Sequence, residues 1–196
     1  MDLTGRFPYK FSRGNEYILI AYHVNSSAIL GQAIKNKQAL TIAKSRKQIH
    51  NTINQTSAAP NSWILDNETS HHLQHVMRKN SIPFQLVHPH NHRANLAERA
   101  IQTFKNHFKT GQSTVHPSFP IVEWDRLLLK AFITLNLLRP ANANPKLSAY
   151  SYIYGNYDFN KTPMTPSGSK IVIDQKPSQS ASWGLNGNWV FILDKH

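Results

Sequence analysis

The sequence predicts an α/β fold: a mixed five-stranded sheet with helices on both faces, followed by a small β-containing extension. Three observations predict it. Two apolar runs, Tyr17 to Val24 and Ala28 to Ile34, are separated by the turn signal Asn25-Ser26-Ser27, as in a hairpin of buried strands. Two shorter apolar runs, Trp63-Ile64-Leu65 and Pro83 to Val87, bracket the helical pattern of His71 to Asn80. Three longer stretches carry apolar residues at helical spacing.

In chain order, Ser12-Arg13-Gly14-Asn15 is a turn, so the residues after Asp2 and the two long apolar runs read as three antiparallel strands. Gln38 to Ile53 is helical by pattern, with Ala39, Ile42, Ala43, Ile49 and Ile53 on one face. Lys44, Arg46 and Lys47 are assigned to its other face, where solvation is preferred over a nucleic-acid contact. Gln55 to Ser62 is a loop leading to the strand that ends at Asp66. In the next helix, Leu73, Val76 and Met77 point inward. His71 and His75 stand four apart there, a spacing open to a transition metal but read as surface.

His88-Pro89-His90-Asn91-His92 reads as a polar loop ahead of the helix Leu96 to Lys109, whose inward residues are Ala97, Ala100, Ile101, Phe104 and Phe108. Glu98, Gln102, Lys105 and Lys109 share a separate stripe of that helix. Asn95-x-x-Glu98 also fits a capping box, in which the Glu reaches back to the cap's N–H. Thr110 to Pro120 reads as a linker, and Ile121 to Arg139 as the longest helix, with Trp124, Leu127, Leu128, Ala131, Leu135 and Leu138 inward. From Ala141 onward Pro, Asn, Ser and Tyr dominate, and Lys170 to Asp174 and Asn188 to Leu193 read as two short strands. The division expected is a core over 1–140 and an extension over 141–196.

Composition narrows the function. The 196 residues include 22 Lys+Arg against 10 Asp+Glu, a net charge of +12, which points to a polyanionic partner and to nucleic acid first. No acid lies between Glu16 and Asp66, so a carboxylate directly after Ile64-Leu65 stands out as a candidate for chemistry. The chain has no Cys, which excludes disulfides and Cys ligands to zinc. The longest apolar run, Leu127 to Leu138, is interrupted by Lys130 and Asn136 and is too short to span a bilayer. An acid ending one strand and another opening the helix after the next strand could meet at one sheet edge, as metal-assisted phosphoryl transfer requires.

Those residues carry a resemblance. Ile64-Leu65-Asp66-Asn67, then His90-x-His92-Arg93-x-Asn95-x-x-Glu98-Arg99-Ala100-Ile101-x-Thr103-Phe104-Lys105, resembles the catalytic core of LTR-retrotransposon integrases, relatives of retroviral integrases within the DDE transferases. The resemblance covers roughly residues 2–140. It implies an RNase H-like fold and a catalytic, metal-binding triad of Asp2, Asp66 and Glu98, with Asp2 in the opening strand. It implies two Mg²⁺ ions, Mn²⁺ substituting, about 3.5–4 Å apart. One would activate a water or DNA 3′-hydroxyl, and the other would stabilise the leaving oxygen. The reaction implied is polynucleotidyl transfer in DNA integration. The partners implied are element-end and target DNA and further copies of the chain, in the nucleus or else the cytoplasm. DNA contacts are expected from Asn67, His90, His92, Arg93, Asn95, Lys105 and Lys109.

Two features depart from the family pattern. Glu68 stands where many members have Gly, adding a fourth carboxylate, and only Met1 precedes Asp2. A strand so short ahead of its carboxylate is expected to fray, leaving this chain poorly active. Two other classes stay open: a non-catalytic nucleic-acid-binding remnant of a retroelement, and an RNase H-like nuclease that hydrolyses without joining.

Overall fold

Strand β2, Tyr17–Tyr22, forms because six consecutive apolar or aromatic residues can be covered on both faces. The computed structural model describes residues 1–56, 59–65, 71–79, 83–86, 96–162, 164–166, 168–174 and 187–192. Within them β2 pairs antiparallel with β3, Ile29–Ile34, in the register Tyr22↔Ile29 to Tyr17↔Ile34. On its other edge β2 pairs antiparallel with β1, Asp2–Leu3, in the register Asp2↔Ile20 and Leu3↔Leu19. The ladder turns aside after Leu3 for a local reason. Thr4 donates its N–H to the Ile18 carbonyl at 2.9 Å, but its own hydroxyl, not its carbonyl, accepts from Ile18 N–H at 3.0 Å.

Alternation along β2 separates two cores. Ile18 and Ile20 face a cluster with Phe104, Phe108, Trp124, Leu128 and Phe132. Leu19 and Ala21 face the opposite one, with Ala43, Ile49, Ile53, Trp63 and Leu65. The first is covered by α3, Leu96–Ser113, and α4, Leu128–Leu137; the second by α1, Ala39–Asn54. Strands β4, Trp63–Leu65, and β5, Phe84–Leu86, form a parallel pair, and α2, His71–Lys79, lies between them in the chain.

The single five-stranded sheet expected from the sequence is not what the described residues form. They form a three-stranded antiparallel sheet β1-β2-β3, the parallel pair β4-β5, and a hairpin of β6, Lys170–Asp174, with β7, Gly187–Phe191. The short β1 explains the gap, because two residues leave little backbone to ladder with β4. The Met1 ammonium nonetheless donates to the Ile64 carbonyl at 3.3 Å, so the start of the chain reaches β4.

Other expectations shift in detail. Helix α3 runs through Gly111 to Ser113 where a linker was expected, and among the described residues it is the longest helix. The stretch expected as one long helix is a 3-10 helix, Ile121–Leu127, followed by α4, with Glu123 at φ −97° and ψ 18° interrupting the helical path. Leu138 is exposed rather than inward, and Phe132 takes the buried position. Past Pro140, the tyrosine-rich segment contains an unforeseen helix, α5, Ala149–Tyr154, capped by the Ser148 hydroxyl, which accepts from Ser151 N–H at 3.0 Å. Ala149 and Ile153 of α5 pack with Ala28. At the hairpin, Phe191 meets Phe119 edge to face, with centroids 5.4 Å apart, whereas Trp189 is exposed with the Lys170 ammonium over its ring.

Candidate active site

The register of β1 decides where Asp2 points. Opposed residues share a face, so Asp2, opposite Ile20, lies on the side covered by α3, while Met1 and Leu3 join the α1-side core. Helix α3 packs against both β1 and β2. Its inward residues Ala97, Ala100, Ile101, Phe104 and Phe108 are all buried, as the apolar spacing predicts. Glu98 therefore falls in the first turn, exposed, where the helix dipole favours a negative charge. Asp2 is half-buried, and its Oδ1 accepts from Leu3 N–H at 2.7 Å. Two of the three expected carboxylates thus sit on elements that pack together, on one side of the sheet.

The third, Asp66, follows directly after β4 and lies outside the described residues, as do Asn67, His90, His92, Arg93 and Asn95. Among the described residues no group of three His, Cys, Asp or Glu could hold a metal ion. Lys105 is half-buried and Lys109 exposed on the Glu98 side of α3. Between them and Glu98, Gln102 donates from Nε2 to Asn106 Oδ1 at 3.0 Å. His75 of the His71/His75 pair is exposed.

One charged residue near the site was misplaced by the sequence reading. Arg46 does not lie on the solvated face of α1. It is half-buried, three residues after the buried Ala43 and three before the buried Ile49. Its Nε and Nη1 atoms are buried and have no hydrogen-bond partner among the described residues. Burial pulls its pKa from the ordinary 12.5 down to about 10, and the Asp2 carboxylate pushes the other way. The spacing 43-46-49-53 held that signal, but the neighbouring Lys44 and Lys47 made the three bases look like one solvated face.

A cleft of about 260 Å³ opens beside the site, lined by Met1 of the β1 end, Tyr22 and His23 of the β2 end, Ile64 of β4, and Leu96 and Ala97 of α3. Burial lowers the His23 pKa, and the His23 Nδ1 atom lies 2.7 Å from the Ser26 hydroxyl.

No family model matches the chain, and no curated protein matches it in sequence. Solved structures do match. The chain is similar to the catalytic core domain of BIV integrase, at 22% identity and a TM-score of 0.51, over 70% of this chain and 84% of that one. It is similar to the HTLV-2 integrase catalytic core domain in complex with magnesium, at 19% identity and TM-score 0.56, over 78% and 93% of the two chains. It is also similar to a chain of the simian T-cell lymphotropic virus intasome in complex with PP2A regulatory subunit B56 gamma, at 16% identity and TM-score 0.59, covering 96% of this chain and 66% of that one. At these identities the likeness concerns the path of the backbone. The chain has the fold of a retroviral integrase catalytic core.

Proposed function

We propose that the chain is an integrase-type polynucleotidyl transferase core, with Asp2, Asp66 and Glu98 as its carboxylates. The observation that carries the reading is the placement of Asp2 on the α3-facing side of the sheet, with Glu98 in the first turn of that same helix. Asp66 follows β4, whose Ile64 carbonyl is joined to Met1.

The donor set fits a hard divalent cation, since carboxylate oxygens are what Mg²⁺ and Mn²⁺ prefer. Asp2, Asp66 and Glu98 would hold it, and when bound it supplies an activated oxygen nucleophile and charge neutralisation at the leaving oxygen. An HTLV-2 integrase core of the same fold has been solved with magnesium. The chain's own residues do the rest of the work. Helix α3 orients Glu98 by burying its opposite face, and Lys105 and Lys109 give the Glu98 stripe a positive continuation for backbone phosphates. Net charge +12 draws the polyanion in. A nuclear site of action and assembly with further copies of the chain go with this reading. Titration of Mn²⁺ by calorimetry tests it: Asp66→Asn should abolish the heat of binding, and unchanged affinity would remove the triad assignment.

A further inference from the structure

We propose that His50 is a positioning residue for Asp66: its neutral ring pins the start of β4 to α1, and protonation of the ring releases the pin. Trp63, the first residue of β4, donates from its indole Nε1 to His50 Nδ1 at 2.9 Å. An indole nitrogen only donates, so Nδ1 must present a lone pair. The ring proton therefore sits on Nε2, which lies 2.7 Å from the Asn54 side-chain amide. A half-turn of that amide brings its oxygen to the proton. Both ring nitrogens are then committed, and an added proton goes to Nδ1, where it faces the indole N–H.

The pin matters because the apolar contacts of β4 carry little direction. Trp63 and Leu65 are buried in a cluster with Ile49, Ile53 and Met77. Such burial resists separation without fixing position along the strand. The ladder is short as well, with three residues in β4 and three in β5. A directional bond from α1 to the first of those residues sets where the strand lies. Asp66 comes directly after Leu65 in the chain, so a shift of β4 is passed on to it.

The surroundings disfavour the charged ring. Burial lowers the His50 pKa. Helix α2 packs against α1, and α1, α2 and β4 contain no carboxylate. Their charged residues are Arg46, Lys47, Arg78 and Lys79 beside Lys44, with the titratable His75, and the Met1 ammonium at Ile64 is cationic too.

Three chains test the pin: the native chain, His50→Asn, whose side-chain oxygen takes the place of Nδ1 without titrating, and His50→Ala. NMR follows the Trp63 indole N–H, assigned by its absence in Trp63→Phe, and the exchange protection of the Ile64 and Leu65 amides. In the native chain both should change with the His50 ring signals as pH falls below the ordinary 6.5. The amides should lose about fivefold in protection, as loss of one hydrogen bond gives. His50→Asn should keep its neutral-pH values in acid, and His50→Ala should show the loss at every pH. Amides of Leu19 and Ile20 report that each variant keeps the fold. An indole signal that ignores the His50 titration overturns the pin, and so does a His50→Asn chain that changes with pH as the native chain does. The bearing on Asp66 rests on the carboxylate reading and is measured separately. Mn²⁺ affinity should fall more steeply with acid in the native chain than in His50→Asn, and parallel profiles overturn the positioning role. No Mn²⁺ uptake by the native chain overturns the carboxylate reading and the role assigned through Asp66, while the metal-free signals still decide the pin.

Discussion

Asn136 of α4 holds both backbone groups of Ile29: its Nδ2 donates to the Ile29 carbonyl and its Oδ1 accepts from the Ile29 N–H, each at 2.9 Å. Ile29 opens β3, the edge strand, and opposes Tyr22 in a pair that leaves its N–H and C=O turned away from β2. One buried amide thus serves as a neighbouring strand would. Asn136→Leu leaves both backbone groups unpaired in a buried place, each worth roughly 1–3 kcal/mol. Urea unfolding of that variant should show a midpoint drop larger than that of an exposed control such as Asn106→Leu. Equal midpoints would deny the pairing.

Gly31 tolerates no side chain. A Cβ there would collide with the Phe132 ring and would stand 2.8 Å from the Leu19 carbonyl oxygen. Gly31→Ala should cost about 1–3 kcal/mol through overpacking. Phe132→Leu in the same chain should recover only part of that loss, because the Leu19 oxygen is backbone. Full recovery would place the whole clash on the ring.

Arg46 gives an opposite expectation. A buried guanidinium with two unpartnered donors costs stability, and replacing such a charge with an apolar residue of similar reach is often neutral or favourable by about 1–4 kcal/mol. Arg46→Met should raise the thermal midpoint. A clear fall would mean that the guanidinium is satisfied in solution and supports the fold.

His23 sets a pH dependence. Its folded-state pKa lies below the ordinary 6.5 because burial disfavours the imidazolium, and burial acts in the same direction on His50 and His107. The unfolded chain therefore binds more protons below pH 6.5. Stability from these groups is complete above the unfolded pKa and is lost as pH falls from there through the folded values. Urea midpoints should decline between pH 7.5 and 5.5, with the NMR signal of His23 titrating below the ordinary 6.5. A flat or rising trend contradicts the assignment.

Lys105 and Lys109 are expected to meet phosphate. Replacing both with Ala should weaken binding to all DNA sequences alike and reduce the salt slope by about one unit per lost contact. An unchanged slope would leave these lysines as solvating charge alone.

The parts of this structure legible in the sequence are those with strong periodicity. The β2 and β3 runs and the 97-100-101-104-108 stripe of α3 formed as spaced, because burial of those side chains outweighs local preference. Asp2 entered the candidate triad only through the family resemblance, and its side of the sheet follows from the β1–β2 register, which spacing in the sequence does not fix. Helix α5 stayed hidden because its tyrosines and flanking Pro and Asn read as loop, and only Ser148 marks its start. The 3-10 turn over Ile121–Leu127 was missed because tight and ordinary helices both bury Trp124 and Leu127 at similar spacing. Arg46 was misread because charge was taken as a sign of solvent, when helix phase left it half-buried with its Nε and Nη1 covered.

The central claim is that Asp2, Asp66 and Glu98 converge on one metal-binding place. Substoichiometric Mn²⁺ added to isotope-labelled protein measures this directly, since the ion broadens nearby amide signals. The account predicts that the amides of Leu3 and Glu98 broaden together, and that Asp66→Asn removes both effects. Broadening of the His71 to His75 region instead, with Leu3 and Glu98 unaffected, would contradict it.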